Sequence, residues 1–196
     1  VGTQMLAKGH HFPRVTLVAV VDADGGLFSA DYRATERLAQ LLVQVAGRAG
    51  RGEHRGQVLI QTRFPDHPLL QTLVTEGYSA FAQAALEERA AAELPPFSHQ
   101  ALLRADAPRM DAALDFLRSA VSGIGDVPSG QAVRVWGPVA APMARRAGRE
   151  RAQVLLQAER REPLHRVLDR LVERLPTLSG MPQIRWGLDV DPIDLF

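Results

Sequence analysis

Cysteine is absent from all 196 residues, so the chain itself builds no disulfide framework and no cysteine-ligated zinc or iron–sulfur site. Lysine is nearly absent as well. Lys8 is the single lysine among 23 basic residues, a bias that a GC-rich coding sequence produces without functional pressure. Acidic residues number 22, so the formal charge is +1 and no global polycation advertises nucleic acid. No apolar run approaches the roughly 18 residues of a membrane span, and no signal peptide opens the chain. Aromatic residues are sparse, at 6%. What is present is an ordinary globular composition, 46% apolar and 23% charged, sized for one large domain or two small ones. The expectation is a soluble, cytoplasmic protein. The chain opens on Val1, with Gly2-Thr3 directly behind it, and reads as a piece of a longer polypeptide.

The run Val15-Thr-Leu-Val-Ala-Val-Val21 predicts a strand buried on both faces of a parallel sheet. It ends in Asp22-Ala-Asp24-Gly-Gly. Ligand crevices of open α/β sheets lie beyond the carboxyl ends of strands, which makes Asp22 and Asp24 candidate cofactor residues. Turn formation and helix capping explain the same two residues without a ligand. A helix over 33–46 follows, with Asp31 as its N-cap and Leu38, Leu41, Leu42 and Val45 on one face. Residues 57–62 predict a second strand, and 68–92 a helix stopped by Leu94-Pro-Pro96, the predicted domain boundary.

Beyond residue 96 the predicted order is β-α-β-β-α-β, the split βαβ pattern. Its strands fall near 99–105, 132–136, 151–158 and up to Val190, with helices near 109–122 and 164–175. The part before the boundary carries 9 basic and 10 acidic residues, and the part after it 14 and 12, a difference of +2.

The strongest local signal is Gln44-Val-Ala-Gly-Arg48-Ala-Gly-Arg51. Two arginines three apart on a glycine-punctuated helix exit can point into one cleft, where guanidinium forks suit phosphate oxygens. The same pattern also arises where arginines complement the dipole at a solvated helix end.

The octet resembles motif VI of superfamily 2 helicases. Gly2-Thr-Gln-Met-Leu-Ala-Lys8-Gly-His-His-Phe-Pro13, with the strand and aspartates behind it, resembles motif V of PriA-type replication restart helicases. Leu69-Leu-Gln-Thr-Leu73, Leu94-Pro-Pro-Phe97 and Leu188-Asp-Val-Asp-Pro-Ile193 resemble the same family, so the similarity covers nearly the whole chain. It implies an α/β architecture: residues 1–96 as the distal part of a RecA-like lobe with a parallel sheet, then 97–196 as a C-terminal α+β sandwich. Arg48 and Arg51 would be arginine fingers on ATP, with Gln44 orienting nucleotide or water. Thr3 and Lys8 would contact DNA backbone. ATP with magnesium, and zinc on upstream cysteines, would belong to the parent protein, with none bound by this piece alone. The implied activity is replication restart: recognition of stalled or branched forks, ATP-driven 3′-to-5′ unwinding and reloading of the replicative helicase. The implied partners are forked and single-stranded DNA, the acidic tail of single-strand-binding protein and other primosome proteins, the protein acting as a monomer. Two alternatives stay open: a loader scaffold of the same family without a working motor, and an unrelated superfamily 2 RNA helicase.

His10-His11 point to opposite sides of an extended chain and have no third ligand at sensible spacing, so no metal site is expected. Arg145, Arg146, Arg149 and Arg151 form a basic loop that suits DNA phosphates or, equally simply, solvent. No aromatic residue falls between Gly137 and Pro163, so a backbone grip is expected there rather than base stacking. Trp136 and Trp186 are expected in the core, as are Leu164, Val167, Leu168, Leu171, Val172 and Leu175. Arg160, Arg161 and Arg166 lie on the outer side of the last helix, where solvation is the plain reading and an acidic partner tail the functional one. Arg161 and His165, four apart at the start of that helix, are the candidate receptor for the tail.

Overall fold

The computed structural model describes residues 16–29, 31–47, 56–126, 130–178, 183–193 and 195. The chain divides into two compact units, Val1–Arg89 and Ala90–Phe196. The fold is mixed α/β, with a small parallel sheet in the first unit and an antiparallel sheet in the second. No helix among the described residues is long and apolar enough to cross a membrane.

In the first unit β1 (Leu17–Val20) pairs in parallel with β2 (Gln57–Ile60), Val18 opposite Val58 and Val20 opposite Ile60. Between them run a single turn, α1 (Asp24–Leu27), and α2 (Ala34–Ala46). The helix begins at Ala34 with Arg33 at its N-cap position, so Asp31 does not cap it as expected; its carboxylate accepts from the Arg33 amide at 3.0 Å in the turn before the helix. Leu38 and Leu42 pack with Ala23 and Leu70 under Val20 and Ile60. β1 is not buried on both faces: Leu17 and Leu59 stand 53% and 56% exposed on the side away from α2.

The expected helix over 68–92 is two helices, α3 (Pro68–Thr75) and α4 (Tyr78–Ala91). Gly77 separates them in the left-handed region (φ +90°), its amide reaching back to the Thr72 carbonyl at 3.1 Å. Only glycine takes that conformation without Cβ strain, and helical periodicity on either side conceals it.

The second unit is a four-stranded antiparallel sheet in the order β4-β5-β3-β6, made of β3 (His99–Ala107), β4 (Arg134–Arg146), β5 (Arg149–Ala158) and β6 (Arg185–Val190). α5 (Met110–Val121) joins β3 to β4, and α6 (Arg161–Leu178) joins β5 to β6. One core lies under these helices: Ala101, Leu103 and Ala105 of β3 and Val154 and Leu156 of β5 meet Phe116 and Leu117 of α5 and Leu164, Leu168 and Leu175 of α6.

β4 does not end near residue 136 but continues to Arg146, with register shifts at Trp136/Val139 and Ala140/Arg145, so the arginine loop is a hairpin turning at Ala147-Gly148. Trp136 is 53% exposed, because β4 is an edge strand and the ring pairs with Leu155 on the face away from the helices. Val172 is also exposed, at the flank of the stripe that Leu168 and Leu171 bury. Trp186 does pack against the core.

Candidate functional site

The carboxyl ends of β1 and β2 meet at Asp24. Its carboxylate accepts the Thr62 hydroxyl at 2.5 Å, the Arg63 amide at 3.2 Å and Arg63 Nε at 2.8 Å. The Arg63 guanidinium first, and the Thr62 hydroxyl second, hold this carboxyl below its ordinary value of 3.8. Asp24 is buried and its bonds are internal, so it ties the two strand ends together. Asp22 is exposed, in a left-handed turn (φ +57°). Sequence reasoning passed over Thr62 and Arg63. The signal was available: a polar pair stands behind the second strand as the aspartates stand behind the first. Next to this tie, the Phe28 and Phe64 rings meet at a tilt of 59° with 4.5 Å between centroids, and the Arg63 guanidinium lies 5.9 Å from the Phe64 ring.

Gln44 is exposed on the last turn of α2, next to the buried Val45. Thr3, Lys8, His10, His11, Arg48 and Arg51 lie outside the described residues.

The β4–β5 hairpin divides the arginine cluster in two. Arg149 Nη2 donates to the Asp106 carbonyl at 2.7 Å and to the Gln183 carbonyl, so this side chain reaches from β5 across the end of β3 toward the segment before β6. Arg151 Nε reaches Asp106 Oδ1 at 3.2 Å and is largely buried. Asp106, on the neighbouring strand, thereby anchors both, one through its backbone and one through its carboxylate. Arg145 is exposed, 3.7 Å from Glu150. Arg146 is exposed and has no ion pair among the described residues. Two guanidiniums are therefore bound into the sheet and two stand at the hairpin tip.

Pro163 sits in the first turn of α6, where a missing N–H costs no helical bond, so Arg161 begins the helix and His165 follows one turn later, both exposed. Arg161 Nη2 lies 3.5 Å from Asp191 Oδ2. Glu162 is occupied by Arg166 and, at 3.6 Å, by Arg160. Among the described residues no group of three His, Cys, Asp or Glu side chains is arranged to hold a metal ion.

Residues 90–193 match the family model described as Primosomal protein N C-terminal domain. Over 195 residues the chain is 49% identical to the replication restart protein PriA of Haemophilus influenzae, covering 100% of this chain and 26% of the relative. It is 38% identical over 194 residues to PriA of Rickettsia felis, covering 98% and 28%. Against PriA of Bacillus subtilis the identity is 34% over 191 residues, covering 97% and 24%. The chain thus spans about a quarter of the length of the curated relatives it matches.

Proposed function

The chain belongs to the PriA replication restart family, and from that premise we propose that it supplies the arginine-finger end of a helicase motor and a DNA-gripping C-terminal domain. In this reading the whole protein recognises stalled or branched forks, couples ATP hydrolysis to 3′-to-5′ unwinding and helps reload the replicative helicase in the cytoplasm. The first unit is the distal part of a RecA-like lobe. Its parallel pair with Leu17 and Leu59 uncovered supports this, because parallel sheets are normally covered on both faces. The second unit is a split βαβ domain, supported by the antiparallel pairing and by a crossover from β3 through α5 to β4 that leaves room for β5 between them.

The observation that carries the DNA-binding part is the hairpin tip, where Arg145 and Arg146 stand exposed on a ribbon whose base is anchored by Arg149 and Arg151. Arginines so placed suit phosphate oxygens at a fork. ATP and magnesium belong to the motor part of the proposal, with Arg48 and Arg51 neutralising charge on the transferring γ-phosphoryl group and Gln44 orienting nucleotide or water. Asp22 and Asp24 remain candidate contacts there, and Thr3 and Lys8 are candidate contacts to DNA backbone. Zinc would be held by cysteines elsewhere in a longer protein. Arg161 and His165 form the proposed receptor for the acidic tail of single-strand-binding protein, supported by their shared helix face and by the pairing of Glu162 with arginines.

The motor is tested in a full-length family member carrying Arg51→Ala at this position. DNA-stimulated ATPase should fall by about 10³-fold or more while nucleotide binding survives. Unchanged turnover in the variant would overturn the arginine-finger assignment, whereas a wild type without DNA-stimulated ATPase would favour the loader scaffold without a motor. For the tail, a fluorescent acidic peptide titrated onto wild type and Arg161→Ala should bind the variant more weakly, and equal affinity would place the receptor elsewhere.

A further inference from the structure

β4 carries three charged residues, Arg134, Arg145 and Arg146, and no carboxylate. Its pairing with β5 fixes which of its side chains share a face. Arg134 stands opposite Gln157, Trp136 opposite Leu155, Val139 opposite Gln153 and Arg146 opposite Arg149, all on the side that the helices leave uncovered. That face therefore presents an exposed indole and an exposed valine bracketed by two arginines. The indole is held in place: its Nε1 donates to Gln157 Oε1 at 3.1 Å, and the Gln157 amide in turn donates to Ser98 Oγ at 2.9 Å and to the Glu93 carbonyl at 2.6 Å. An aromatic ring fixed by its edge, with its surface half in solvent, is a preorganised stacking platform.

Pro138 and Pro142 remove two amides from this edge strand, and its register shifts twice, so the edge resists the addition of a peptide strand. Arginine without carboxylate along β4 suits a polyanion, and an exposed indole suits an unpaired base. We propose that this face of β4 is a track for single-stranded DNA, with a base stacked on Trp136 and phosphates held by Arg146 at one end and Arg134 at the other. From Leu155 to Arg149 along β5 is six residues, or about 20 Å at roughly 3.4 Å per residue. That length accommodates about six bases at a stacked spacing of about 3.4 Å. Arg134 is shared with Glu93 and Arg151 with Asp106, so Arg146 is the main phosphate contact.

The inference rests on the DNA-binding reading of the hairpin and adds a strand type and a stacking residue to it. The test is titration of the 196-residue chain with fluorescent oligothymidylate of about 12 nucleotides, within the usual single-strand site size of about 4–16. Trp136→Ala should weaken binding by roughly fivefold or more, and Trp136→Phe should restore most of it. In a Trp186→Phe background, the emission of Trp136 should be quenched on binding. Arg146→Ala should lower the salt slope by about 0.7. Equal affinity for wild type and Trp136→Ala, or no quenching, overturns the platform. Binding of forked duplex without binding of oligothymidylate overturns this inference and leaves the DNA-binding reading standing. Binding of neither DNA overturns both.

Discussion

The two units solve burial differently. The second unit encloses one core between its antiparallel sheet and α5 and α6, with Leu103, Leu117, Leu156 and Leu175 all fully buried. The first spreads its apolar residues over two small clusters, around Leu38 and Leu42 and around Leu69 and Phe81, and leaves Leu17, Val21, Phe28 and Leu59 in solvent. The difference follows from sheet type. An antiparallel sheet is stable with one face packed, whereas a parallel pair is normally covered on both. The second unit has what an independent domain requires, and the first is held by local ties such as Asp24 to Thr62 and Arg63.

The largest expected contrast is a leucine truncation made in each unit. Leu103→Ala should cost about 2–5 kcal/mol in urea unfolding of the second unit, whereas Leu59→Ala should change stability by no more than about 0.5 kcal/mol. Similar costs would mean that the Leu59 face is covered. Next in size is Arg149→Ala, which strands two backbone carbonyls and should cost about 1.5–3 kcal/mol by the same assay. In the first unit Gly77→Ala places a Cβ at φ +90° and should cost about 1 kcal/mol, read from the melting temperature. An unchanged melt would show that the α3–α4 turn rearranges freely.

The smallest contrast is in pH. The Asp24 carboxyl titrates lower when folded than its ordinary 3.8, so its stabilising contribution is complete above that value. It is lost as the pH falls from 3.8 through the lowered folded value. Amide exchange at Ala23, whose N–H donates to the Gln61 carbonyl beside this tie, should accelerate across that window. Asp24→Asn should exchange faster at neutral pH and lack the acid-side change. Identical profiles would remove Asp24 from the account of the first unit.

Elements whose signal is local were legible in the sequence. The β-branched run around Leu17–Val20 gave its strand, the 3.6-residue spacing of Leu164 to Leu175 gave the buried face of α6, and Gly2 to Pro13 with the arginine octet pointed to the family. Gly137, Pro138 and Pro142 are loop-type residues in the middle of β4, and an edge strand tolerates residues that a central strand rejects. At Gly137, with φ +103°, a Cβ would lie 3.0 Å from the Val139 nitrogen, so the glycine there belongs to the bulge that lets the strand continue. A strand aromatic such as Trp136 is normally buried, and only the sheet order reveals that its strand is at the edge. The division of the arginines was equally hidden, since it depends on Asp106, more than 40 residues away in sequence.

The most direct test of the account is therefore a paired measurement on that division. Forked-DNA affinity is measured across a salt series, with thermal melts alongside, for Arg145→Ala/Arg146→Ala and for Arg149→Ala/Arg151→Ala. The tip pair should flatten the salt slope by about 1.8, at about 0.9 per duplex phosphate contact, and leave the melt unchanged. The anchored pair should lower the melting temperature by several degrees, as a loss of about 1.5–3 kcal/mol implies for a domain of this size. A wild-type salt slope in the tip variant, or a wild-type melt in the anchored one, would contradict it.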